Sequence, residues 1–286
     1  MTMCGKAAAA AALLIVTAAM TPIPATSAAP VQAKSKAAAP RRAPELSAVQ
    51  VLERYLAATG GRAAYARITS MVTKGTVESQ AQGLRGTFAA TIKAPNKVLV
   101  VQTLPGIGES KQGFDGKIGW SQDPFTGLRT LGGPELIALK QASPLDIVAN
   151  WRAQYKKIER IGTGKVGNRN AILIRLTPLV GNPATGYYDA QTFLLLRMDA
   201  VVQNPQGTFP MQAYFSDYRP SGGIKVPFVT RQRLGGILEI VLTITDIQHN
   251  VPVDDALFAR PESPAAPAAS QPSPPAPLPQ AEEGSQ

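Results

Sequence analysis

From Thr69 to Ile247 the chain is cut by turn residues into about ten short runs that either alternate apolar with polar side chains or are apolar throughout. Alternation with a period of two sends successive side chains to opposite faces of a strand, so each such run offers one apolar face to a core. Phe88, Ala90 and Ile92 alternate with Thr87, Ala89 and Thr91, and Pro95-Asn96 turns the chain into a second run over 98–102. Further runs cover 172–176, 193–202, 211–218, 225–233 and 237–247. Gly181-Asn182-Pro183, Asn204-Pro205-Gln206-Gly207, Ser221-Gly222-Gly223 and Gly235-Gly236 separate them as hairpin connections. Hairpins need no crossover helices, so the economical topology is an antiparallel meander in a mainly β (α+β) fold.

Helical signals are few. Ser47 followed by Gln50 forms a capping box, with Leu46 and Val51 placed as the hydrophobic staple around it. Val49, Leu52, Tyr55 and Leu56 then read as one apolar stripe, and Gly60-Gly61 ends the helix. A shorter helix is expected over 63–68. Residues 134–142 and 144–155 read as two more short helices inserted between strands, with Leu136, Ile137, Leu139, Leu145, Ile147, Val148 and Trp151 apolar. Such an insertion either covers an open sheet face as a lid or is an ordinary packing element.

The flanks differ in composition. Residues 1–28 have the layout of a secretory signal peptide: Lys6, an apolar run from Ala7 to Ala19, then Pro22, Pro24 and small residues. Residues 29–44 are an Ala-, Pro- and Lys-rich spacer, and eight of the 26 residues in the tail 261–286 are proline, so neither segment can bury a core. The folded domain is expected over 45–260, exported. Cys4 is the only cysteine and lies within the expected leader, so the mature chain has no disulfide and no thiol nucleophile. The net charge of +10 falls to +9 without Lys6 and is dispersed. It suits a soluble basic surface or attraction to anionic head groups, whereas no aromatic–basic motif of a nucleic-acid reader is present.

No arrangement of residues points to catalysis, a metal or a cofactor. A relay or imidazole metal site would have to be built on the single His249, and the adjacent Asp254-Asp255 would face opposite ways in extended chain. Four glycine doublets lack phosphate-loop spacing. These absences weigh against an enzyme. Apolar side chains, by contrast, are in surplus: Leu238, Ile240, Leu242 and Ile244 share one face of the last run. Helix, a second sheet or a ligand must cover such a face. The sheet therefore either packs its own core or leaves an apolar concavity for a guest. By alternation, the candidate lining residues are Phe88, Ile92, Val98 and Val100, then Trp120 and Phe125, then Leu136, Leu139 and Leu145 of the insertion, and finally Phe193, Met211 and Phe215.

The ordered pieces Ile92-Lys93-Ala94-Pro95-Asn96, Phe114-Asp115-Gly116-Lys117 with Trp120, Asp123-Pro124-Phe125, and Phe258-Ala259-Arg260-Pro261 resemble the periplasmic lipoprotein carriers and their outer-membrane lipoprotein-sorting relatives (LolA/LolB-like). The resemblance implies an unclosed antiparallel β-barrel, or half-barrel, with an N-terminal helix and a helical lid, wrapped around a cavity for a lipid or lipoprotein acyl chain. It also implies that Asp115 to Trp120 form a hairpin near the cavity. In the carriers an arginine precedes the proline of the first piece and latches the lid; this chain has Ala94 there. A relative with different cargo is expected, or a cell-envelope regulatory module on the same scaffold that senses lipoproteins and binds an envelope membrane protein.

Overall fold

The computed structural model describes residues 45–145, 148–204, 207–236 and 238–262. The expected leader, the spacer and the tail beyond 262 lie outside the described residues. Helix α1 (Ala48–Ala58) starts at the capping box: the Gln50 N–H donates to Ser47 Oγ at 3.2 Å, and the Ser47 N–H donates to Gln50 Oε1 at 2.8 Å. Its buried stripe is Ala48, Val51, Leu52 and Leu56. Val49, expected in that stripe, is exposed, because the i, i+3, i+4 face begins one residue earlier at Ala48. Helix α2 (Gly61–Tyr65) starts two residues before the expected segment.

Two meanders follow. The first comprises β1 (Ser70–Ser79), β2 (Leu84–Lys93), β3 (Lys97–Leu104), β4 (Gly108–Phe114), β5 (Gly119–Asp123) and β6 (Gly127–Thr130). Helices α3 (Gly133–Ala142) and α4 (Trp151–Gln154) come next. The second meander is β7 (Tyr155–Val166), β8 (Arg169–Pro178), β9 (Ala184–Asp189), β10 (Leu195–Asn204), β11 (Gly207–Ser221), β12 (Ile224–Leu234) and β13 (Leu238–His249). All thirteen strands form one antiparallel sheet in the order β6-β5-β4-β3-β2-β1-β13-β12-β11-β10-β9-β8-β7, open between β6 and β7. The fold is an unclosed half-barrel. The extra strands are those whose sequences lack clean alternation, such as Gly-Glu-Ser-Lys-Gln-Gly-Phe in β4 and Tyr-Lys-Lys-Ile-Glu-Arg in β7. Of the second inserted helix, expected over 144–155, only the turn α4 is helical among the described residues.

The insertion joins the two free edges, which constrains the sheet's curvature. Laid flat, the eight strand spacings from β5 to β10 would span about 38 Å, whereas α3 has ten residues and is about 15 Å long. Yet α3 reaches both. It packs on β10, and a Cβ built on Gly119 of β5 would lie 2.7 Å from Leu136 Cδ1 and 3.3 Å from Leu139 Cδ2. Both contacts exist only because the sheet curls around the helices.

The convex face carries its own small core. Cross-strand partners share a face, so Val98, Phe114 and Gly119 look inward while Leu99, Gly113 and Trp120 look outward. The missing side chain of Gly113 makes room for the indole: a Cβ there would lie 2.4 Å from the Trp120 ring. Phe258, fully buried, packs on Leu99 and Trp120, and Trp120 Nε1 donates to the Phe258 carbonyl at 2.9 Å. The strap leading to it is fixed by Lys93 Nζ donating to the Val253 carbonyl at 2.6 Å and by Asp255, which pairs with Lys93 at 2.8 Å and Lys97 at 2.6 Å. Hydrogen bonds from the two lysines hold the Asp255 carboxyl down at about 2. Replacing Phe258 by alanine is expected to lower stability by about 3–5 kcal/mol and to shift Trp120 emission to the red. Urea denaturation followed by fluorescence measures both; an unchanged midpoint would contradict this role for the strap.

Candidate functional site

The concave face holds a cavity of about 330 Å³ under the helices. This volume is near the lower end of the roughly 300–1,000 Å³ common for small-ligand sites. Its floor comes from alternate residues of β2 and β3 (Ala90, Ile92, Val98, Val100) and of β10 and β11 (Met198, Ala200, Val202, Met211, Ala213, Phe215). Leu52 and Tyr55 of α1 close one side with Tyr155, Leu176 and Tyr188, and the roof is Ile137, Ala138, Leu139 and Ala142 of α3 with Val148 and Trp151. Among the described lining residues none is charged.

The roof is held at a few points. On α3, Glu135 accepts two hydrogen bonds from Arg129, each 2.7 Å, and Gln141 Nε2 donates to the Val180 carbonyl. On the α4 side, Glu53 of α1 gathers Arg62 at 2.8 Å, Arg152 at 2.6 Å and Trp151 Nε1 at 3.1 Å. Burial alone would raise the Glu53 pKa, but the hydrogen bond from Arg152 and the charges of Arg62 and Arg152 outweigh it and hold the carboxyl below its ordinary value. Ala94, where the carriers have their arginine, packs among the apolar residues beneath the roof and has no polar group with which to latch it.

Ile92, Val98, Val100, Leu139, Met211 and Phe215 of the expected lining stand around the cavity. The other six do not. Trp120 is on the convex face for the register reason given above, and Phe125 is 77% exposed in the β5–β6 turn, where Asp123 accepts from the Phe125 and Thr126 N–H groups. Phe193 takes a left-handed conformation in the β9–β10 turn, with the Arg54 guanidinium 4.9 Å from its ring. Phe88 faces inward, but it sits at the far end of the sheet, where Val77, Leu238, Ile240 and Leu242 fill the space around it. Leu136 is spent on Gly119, and Leu145 is buried in the core below the roof.

A tyrosine wall was not foreseen from the sequence. The Tyr55 and Tyr188 rings meet edge to face at 5.3 Å. Tyr218 donates to the Leu195 carbonyl at 2.9 Å. Burial pushes Tyr155 up to about 12, and Tyr55, Tyr188 and Tyr218 higher still. The spacing of Tyr55 from Leu52 and Leu56 was the available signal.

Outside the cavity, His249 Nε2 lies 2.9 Å from Ser221 Oγ, and burial lowers the ring's pKa. Asp254 caps the 3-10 turn Asp255–Phe258. Among the described residues no group of three metal-ligating side chains converges, and no helix is long and apolar enough to cross a membrane.

No family model matches the sequence, and comparison with curated proteins finds no match. Solved structures do. A LolA superfamily protein from Nitrosomonas europaea aligns over 75% of this chain and 98% of its own, with a TM-score of 0.52 and 12% identity. The fold is LolA-like. A DUF1329 family protein from Desulfovibrio piger aligns over 74% of this chain and 97% of its own, with a TM-score of 0.53 and 14% identity. At these identities the likeness is one of fold.

The tyrosine wall predicts alkaline behaviour. In the unfolded chain phenols ionise near pH 10, whereas in the folded state Tyr155 holds its proton to about 12 and its neighbours beyond. Their contribution to stability is therefore complete below about pH 10 and is lost as pH rises past it. Phenolate absorbance of the buried tyrosines should appear together with unfolding. Its appearance while the fold is intact would show that the wall is solvated.

Proposed function

We propose that the protein is an exported, periplasmic carrier or binding protein that holds a lipid or lipoprotein acyl chain in the half-barrel cavity. The observation that carries this reading is the roofed, apolar and uncharged cavity between α3 and the β2–β3 and β10–β11 strands. Burying a chain of about ten methylenes there would gain roughly 8 kcal/mol before ordering costs, enough for reversible capture. Entry requires the roof to move against its apolar packing and against polar contacts that include the Arg129–Glu135 pair, the Gln141 amide and the Glu53 cluster. A LolA-like fold supports the reading at the level of architecture.

Ala200 lines the cavity on β10, and Ala200→Trp would place an indole where the chain lies. This variant is expected to fold, with an unchanged circular dichroism spectrum, and to lose at least about ten-fold in affinity for an uncharged fluorescent apolar probe. Native mass spectrometry of protein isolated gently from cells should show wild type with bound lipid mass and the variant without it. Bare polypeptide mass for wild type together with no probe binding would sink the carrier reading.

A further inference from the structure

We propose, on the basis of that carrier reading, that the cavity selects lipids whose polar end is uncharged, bearing hydroxyl, ester or amide groups, over those ending in a carboxylate, a phosphate or an ammonium. The chain as a whole is strongly basic, at +10, yet among the described residues lining the cavity no lysine, arginine, histidine, aspartate or glutamate is present. The charges next to the lining in sequence are engaged by neighbouring groups. On β10, Met198, Ala200 and Val202 line the cavity while Arg197 and Asp199 are bound to each other at 2.5 and 2.6 Å. On β4, Gln112 lines the cavity while Lys111 pairs with Glu109 at 2.8 Å. On α3, Glu135 is taken by Arg129, and the Lys140 ammonium is 5.9 Å from the Phe114 ring centre.

What the lining offers a polar end is carboxamides. Gln141 of α3, Asn182 of the β8–β9 turn and Gln203 of β10 all line the cavity and reach solvent, and half-buried Gln112 of β4 also lines it. Each carboxamide presents both a donor and an acceptor, which matches hydroxyl and carbonyl groups and neutralises no charge. Two of their present bonds are long, Asn182 Nδ2 to Gln203 Oε1 and Gln203 Nε2 to Thr208 Oγ1, both 3.4 Å. A ligand group can replace bonds of this length at little cost. A carboxylate drawn inward to half-buried Gln112 would give up part of its hydration with no cation to replace it, and an ammonium with no anion.

The test uses the intact protein, stripped of lipid, and displacement of the uncharged probe N-phenylnaphthylamine at neutral pH by monolaurin, laurate and dodecylammonium, which share one chain length. Monolaurin is expected to displace the probe at least about ten-fold more effectively than either ion. Gln203→Lys, which exchanges a rim carboxamide for a cation, should bring laurate to within a few-fold of monolaurin. Laurate or dodecylammonium matching monolaurin on wild type overturns the selectivity and leaves the carrier reading standing. Probe that does not bind, or that none of the three displaces, overturns the carrier reading and the selectivity with it.

Discussion

The structure depends on the ladder between β1 and β13. It joins two meanders whose chain connection is the helical insertion, and it runs from Met71 opposite His249 to Glu78 opposite Val241, with a shift in register between Lys74 and Gly75. With this seam formed, the two free edges lie at opposite ends of the sheet while α3 and α4 still tie them together. Curvature, concavity and roof are then consequences of chain connectivity more than of any one side chain. The open edges are managed in familiar ways: β6 is only four residues long, and β7 is charged and shifts register twice against β8.

Inside that curl the apolar surface is divided unequally. Towards one end Phe88, Leu238, Ile240 and Leu242 meet one another and leave no room, and under α2 the core closes over Tyr65, Phe114 and Leu145. Between these regions, small residues such as Ala90, Ala200 and Ala213 stand where larger ones would have met. The void therefore arises from side-chain volume as well as from sheet shape. It is walled in part by Tyr55, Tyr155 and Tyr188, whose phenols burial holds neutral.

Much of the architecture was legible in the chain because its signals are local. The capping box at Ser47 and Gln50, the alternation in β2 and the glycine-rich hairpins between β11, β12 and β13 each depend on neighbours in sequence. Facing was harder. Ile92 and Val98 could be placed because clean alternation fixes them relative to their strands, whereas Trp120 was misplaced because nothing local tells which side of a five-residue strand meets the concavity. Gly113 and Phe258, from distant parts of the chain, decide that. Phe125 and Phe193 look like lining by hydrophobicity alone, but turn chemistry at Asp123 and Asp189 holds the surrounding chain out of the sheet. Tyr55 went unrecognised as a wall residue because its partners Tyr188 and Tyr218 come from two different strands far along the sequence.

The two tryptophans stand in contrasting surroundings. Trp151 forms part of the cavity wall, with its indole N–H on Glu53 and the Arg152 guanidinium 4.2 Å from its ring, while Trp120 is sealed behind the sheet under Phe258. One indole therefore senses whatever occupies the interior, and the other is screened from it by the thickness of the β-layer. The molecule thus contains its own optical gauge of occupancy together with an internal standard, without any added label.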